Sequence, residues 1–175
     1  MKKSKIIMFF IFVLGVFTVT NISTTDGQMI SKNLFKIKRN KNANVVMYDV
    51  RLDSKGNIDK SNPIDAYWIL YDKQGQMRRS EIKAFEKRAY GFTIKYNVEG
   101  YYDLVLKAVP DTNIKVILLN GEPKVLIKIN NEDAYLLTVF VFAKYNLITT
   151  KVLYYAITGV DIKTGFQITK KIAVH

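Results

Sequence analysis

The chain has 175 residues, a formal charge of +12, nearly balanced apolar content at 49%, one His and no Cys. Disulfides, thiol nucleophiles and cysteine-ligated metals are therefore excluded. Catalysis through a positioned imidazole would have to rest on His175, the last residue, where termini fray.

Lys2, Lys3 and Lys5 precede an apolar run from Ile6 to Val19. A membrane-spanning helix needs about 20 apolar residues, whereas the h-region of an export signal needs about 7–15. The reading is a signal peptide over residues 1–27. An uncleaved anchor is the alternative, because no charge occurs until Asp26. Thr25-Asp26-Gly27 before Gln28 offers a cleavage site, and Asn21-Ile22-Ser23 a second. The expected location is the periplasm, cell surface or exterior. No Cys follows the apolar run, so lipid attachment at such a residue is ruled out.

Residues 28–175 read as one β-rich domain. Alternation of period two marks half-buried antiparallel strands: Val46, Tyr48, Val50 and Leu52 against Met47, Asp49 and Arg51, then Tyr102, Leu104 and Leu106 against Asp103 and Lys107. It recurs in Val125, Ile127 and Ile129 and in Phe166, Ile168 and Ile172. Residues 66–71, 136–143 and 152–157 are apolar on both faces and require cover on both sides. The expected strands are 34–39, 44–52, 64–71, 92–98, 101–109, 114–119, 124–130, 135–145, 151–158 and 166–173. Asp-initiated turns close on Gly56, Gly75 and Gly165, and Asn120-Gly121 signals a two-residue hairpin. Ile82 and Phe85 at helical spacing predict one short helix near 80–89, capped by Ser80. The fold class is all-β with a minor α component: a single antiparallel barrel-like or sandwich domain of about 8–10 strands, mostly meandering.

Chemistry-bearing residues are sparse. Asp49, Asp65, Asp103 and Asp161 lie in or beside strands, where most read as turn formers or solvent-facing positions. Asp65 stands out because a doubly apolar run follows it. Asp53, Asn57 and Asp59 depart from calcium-loop spacing, since Lys55 occupies the third position. Two basic patches occur: Arg78, Arg79, Lys83, Lys87 and Arg88, interleaved with Glu81 and Glu86, and Lys32, Lys36, Lys38, Arg39 and Lys41 with no acid between them. Either suits an anionic cell-envelope component. Nucleic acid is disfavoured, because exposed aromatics do not accompany the basic residues. Trp68, Tyr102 and Tyr154 are candidates to line a cavity for a hydrophobic small ligand.

Four stretches together resemble one family: 34–46 (LFKIKRNKNANVV), 63–69 (PIDAYWI), 88–92 (RAYGF) and 158–161 (TGVD). They are similar to the bacterial domain of unknown function DUF4833, in the expected order, over about residues 34–172. The resemblance implies an exported single-domain protein and supplies no catalytic residues or cofactor. It draws attention to polar groups set among apolar ones. Arg39, Asn44, Asp65, Trp68, Arg88, Tyr90 and Asp161 form the candidate ligand-binding set. The competing expectation is a structural network, with Arg39 or Arg88 paired to Asp65 or Asp161. The functional expectation is a non-enzymatic barrel-like domain binding a ligand or partner in the cell envelope. The alternatives are a partner-docking module or a carboxylate-dependent hydrolase.

Overall fold

The computed structural model describes residues 30–97, 101–146 and 149–174. The signal-like segment and His175 lie outside them. Eleven strands and one short helix follow in order: β1 (Ile30–Arg39), β2 (Val45–Leu52), β3 (Ile64–Tyr71), β4 (Met77–Glu81), α1 (Lys87–Tyr90), β5 (Phe92–Tyr96), β6 (Tyr102–Leu106), β7 (Ile114–Leu119), β8 (Glu122–Ile129), β9 (Glu132–Tyr145), β10 (Thr150–Asp161) and β11 (Gln167–Ala173).

The long strand β9 organises the sheet. One edge is taken by β10 from Ala134 to Tyr145. The other edge is divided: β8 pairs along Glu132–Tyr135, and β1 runs parallel along Thr138–Val141. Two antiparallel meanders therefore leave the same edge, β1 to β4 and β8 back to β5. They fold over one another, so that Tyr48 of β2 meets Phe92 of β5 edge-to-face at 6.1 Å. The path ends at β4 and β5 without joining them. The fold is a sandwich-like all-β arrangement, and the barrel alternative falls because the sheet does not close.

Period-two patterning explains which side chains fill the interior. Phe35, Val46, Tyr48, Val50, Leu104, Leu106, Val116 and Ile129 are fully buried. Phe35 stacks on Tyr48 at 4.6 Å, and the Tyr48 hydroxyl donates to the Tyr90 carbonyl at 2.6 Å, joining β2 to the end of α1. Burial pushes the Tyr48 hydroxyl well above its usual pKa, so it remains a donor at neutral pH. Gly159 on β10 is required by close approach: a Cβ there would lie 2.6 Å from the Tyr135 carbonyl oxygen.

The expected turn chemistry is present. Gly56, Gly75 and Gly165 have φ of 79, 81 and 72°. Asn120 and Gly121 both have positive φ, as a primed hairpin turn demands. Asn130-Asn131 repeats that solution between β8 and β9 without a glycine.

The predicted 80–88 helix is largely corrected. Ser80 pairs opposite Trp68 within β4, and the helix occupies only Lys87–Tyr90. The Asp72–Gly75 turn reverses the chain into β4, whose unrelieved polarity, Met-Arg-Arg-Ser-Glu, masked it as an edge strand. Charged side chains on an edge discourage further strand pairing, which accounts for that composition.

Candidate functional site

The predicted polar set does not gather at one place. Asn44 completes the β2–β3 ladder, its Oδ1 accepting the Tyr71 amide at 2.9 Å. Asn40 does likewise beyond β1, exchanging two hydrogen bonds with the Ala143 backbone. Asp161 is bound within its own turn: Oδ1 accepts the Lys163 and Thr164 amides at 2.9 and 2.7 Å and the Thr164 hydroxyl at 3.0 Å. The Thr164 amide leads the causes that hold its carboxyl below the usual range. Arg88 is exposed on α1, with no ion pair among the described residues. The expected pairing of Arg39 or Arg88 with Asp65 or Asp161 is therefore not the one formed.

The remaining four residues fall around Tyr90, in two groups. The first is centred on Asp65. In register, Asn33, Asp49 and Asp65 lie side by side across β1, β2 and β3. Two carboxylates directly opposite would repel, and each is compensated differently. Asp65 receives Arg79 at 2.6 Å and Arg51 at 3.2 Å. Asp49, only 6% exposed, receives neutral donors: Ser31 Oγ at 3.1 Å, Asn33 Nδ2 at 3.0 Å and the Tyr67 hydroxyl at 2.7 Å. The solvent-facing reading of Asp49 is thus corrected, since its neighbours on β1 and β3 cover it. The Arg79 guanidinium lies 3.5 Å from the Tyr67 ring centre, closing the group. Burial first, then the hydrogen bond to Asp49, pushes the Tyr67 hydroxyl up to about 12.

This group forms one wall of a cleft of about 490 Å³ between the end of β3 and α1. Asp65, Tyr67, Arg51 and Arg79 face Lys87, Tyr90 and Lys107, with Ile82 and Phe92 among the apolar lining residues. Four cationic and two acidic side chains, Asp65 and Glu81, surround it. Asp65 is committed to the two guanidiniums. The Lys87 and Lys107 ammonium groups have no carboxylate partner among the described residues. The cleft exists because β4 pairs only with Tyr67–Tyr71 and leaves the first residues of β3 without a strand on the edge away from β2.

The second group is built on Trp68. Its ring packs edge-to-face with Tyr90 at 4.9 Å and carries the Arg39 guanidinium 4.5 Å above its centre. Arg39 reaches the Tyr90 hydroxyl and Asn42 Oδ1, each at 3.4 Å. Trp68 is 3% exposed, and its Nε1 is the one buried side-chain polar atom lacking a partner among the described residues. The predicted Trp68–Tyr102–Tyr154 cavity is absent: Tyr102 packs on Tyr96, and Tyr154 stacks against Phe142.

Sequence reading thus located Asp65, Tyr90, Arg39 and Trp68 but missed Asp49, Arg51 and Arg79 as members of the site. An adjacency signal existed for Arg51, two residues from Asp49 on the same strand face. The pairing of Arg79 with Asp65 had none, because it depends on β4.

Neither a curated protein nor a solved structure matches the chain. A family model does match, over residues 35–171, which takes in both groups around Tyr90 except Ser31 and Asn33. The chain belongs to the family described as a domain of unknown function, DUF4833.

Proposed function

We propose that this protein is an exported, non-enzymatic binding domain whose cleft between β3 and α1 takes a ligand of the cell envelope with at least one anionic group. The observation that carries the reading is the pair Lys87 and Lys107, facing a cleft whose principal carboxylate, Asp65, is already neutralised by Arg51 and Arg79. An anion entering there gains two ammonium partners without displacing an internal ion pair. Tyr67 and Tyr90 add ring surface beside the charge.

Binding fits these groups better than proton transfer. A general base should titrate near the working pH, whereas Tyr67 is pushed up to about 12 and holds its proton. Asp49 is enclosed by three donors. Export rests on Lys2, Lys3 and Lys5 before the apolar Ile6–Val19 run.

Two experiments test the reading. NMR titration of the protein with acidic monosaccharides and phospholipid headgroups should shift the amides of Lys87, Gly91 and Lys107 together, and Lys87→Gln with Lys107→Gln should abolish the shifts. Unchanged binding in that double variant would reject the cleft. Fractionation of cells expressing the full chain should place it outside the cytoplasm, and replacing Lys2, Lys3 and Lys5 together with the apolar run should retain it inside. Retention of the native chain in the cytoplasm would reject export.

A further inference from the structure

We infer that Arg39, Trp68, Tyr90 and Tyr145 form a second site, sharing only Tyr90 with the β3–α1 cleft, that binds a phosphate-type oxyanion.

The residues converge from four parts of the chain. Arg39 ends β1, Trp68 lies in β3, Tyr90 ends α1 and Tyr145 ends β9. Arg39 lies over the Trp68 ring and reaches the Tyr90 hydroxyl, while Trp68 packs against Tyr90. The end of β9 is held against this end of β1 by Asn40, which exchanges two hydrogen bonds with the Ala143 backbone. Lys41 lies over the Tyr145 ring at 5.1 Å. No Asp or Glu forms an ion pair with Arg39 or Lys41 among the described residues.

Arg39, Lys41 and the Trp68 indole are donors only, and the acceptors Arg39 meets are a phenol and an amide oxygen rather than a carboxylate. The guanidinium offers five N–H bonds in a fixed fork. It uses two at 3.4 Å, near the limit of a hydrogen bond, on a phenol and an amide oxygen. A charged donor bonded to a carboxylate sits much closer, as Arg79 does to Asp65 at 2.6 Å. Under Arg39, the Trp68 indole N–H is buried without an acceptor among the described residues. Leaving such a donor unpaired costs about 1–3 kcal/mol, and native proteins rarely tolerate it except where a missing partner completes the set.

The missing partner is an anion with several acceptor oxygens. The guanidinium forks in one plane over the ring face, and the indole N–H lies in the plane of the ring beneath it. A tetrahedral phosphate presents oxygens to both planes, whereas a carboxylate presents two in one plane. The phosphate could be free, part of a phosphate monoester or part of a lipid headgroup. The chemistry recognised is the same in each case.

Trp68 is the only tryptophan in the chain, so its emission reports directly on this corner. The full chain is titrated with inorganic phosphate, with acetate at matched ionic strength and with vesicles containing an anionic phospholipid. Inorganic phosphate should change the Trp68 emission saturably, and acetate should not. Arg39→Gln should weaken the phosphate response about tenfold or more, as expected for loss of one charge-assisted donor. Lys87→Gln with Lys107→Gln should leave it intact, which separates this site from the cleft. Response to vesicles through Arg39 identifies a headgroup; response to phosphate without vesicles identifies a soluble ligand. A phosphate response equal in Arg39→Gln, or none at all in a protein whose circular dichroism is native, would overturn the inference.

Discussion

Two arginines lie over aromatic rings on neighbouring parts of this sheet, and their surroundings differ. Arg79 covers Tyr67 at 3.5 Å and ends on Asp65. Arg39 covers Trp68 at 4.5 Å and ends on a phenol and an amide at 3.4 Å. Around Arg79 the partners are complete: Asp65 shares Arg51, and the ring's hydroxyl is spent on Asp49. Around Arg39, among the described residues, a cation lacks a carboxylate and an indole lacks an acceptor. The same local motif, a guanidinium on an aromatic face, is thus a finished structural element in one place and an open set of donors in the other. The carboxylate decides which.

The largest expected effect lies in the finished group. Asp49→Ala strands Ser31, Asn33 and Tyr67 donors in a covered position, and should cost about 3 kcal/mol or more of unfolding free energy in urea titration. A loss below about 1 kcal/mol would mean that water completes this group without help, and the contrast with Arg39 would weaken. Tyr67→Phe should cost less, about 1–2 kcal/mol, since one donor of three is lost.

Tyr67 also gives the comparison a pH signature. Its folded value is raised to about 12 from an ordinary 10.0, so the folded state holds the proton more tightly than the unfolded chain. That contribution is fully present below pH 10 and is lost as pH rises toward 12. Wild type should lose stability more steeply than Tyr67→Phe across that interval. Parallel curves would place the alkaline loss on other tyrosines, of which Tyr48 is also raised by burial.

Smaller effects separate the two arginines. Arg79→Gln removes a half-exposed ion pair and should cost about 1 kcal/mol or less, an effect that shrinks in high salt. Arg39→Gln should cost no more than this in an anion-free buffer, because the bonds lost are long and no carboxylate is abandoned. With phosphate added, wild type and Arg79→Gln should gain thermal stability, and Arg39→Gln should not. Equal gains in all three would remove the distinction.

The sequence made the strands and turns legible because both depend on near neighbours. Period-two alternation, doubly apolar runs and turn signals together found ten of the eleven strands, and Asp–Gly spacing found the turns that close on Gly56, Gly75 and Gly165. The exception, β4, has no apolar alternation because it is a charged edge. Missing it hid the partner of Asp65, since Arg79 reaches that carboxylate only after the 72–75 turn folds β4 onto β3. Asp49 was read as solvated for a related reason. Its alternation is that of an outward position, and only the register of β1 and β3 places Asn33 and Tyr67 over it. Arg39, Trp68 and Tyr90 were recognisable as polar groups near apolar runs, but their meeting depends on two meanders folding over each other from a divided edge of β9. Periodicity carries no information about that step.

The most direct measurement is a crystal structure of the protein grown with arsenate, whose anomalous scattering locates a phosphate-type oxyanion. The expected result is an arsenic peak within hydrogen-bonding reach of the Arg39 guanidinium and the Tyr90 hydroxyl, with none bound to Arg79. A peak beside Arg79, or an Arg39 corner whose indole N–H is met by an ordered water alone, would contradict the distinction between the two arginines.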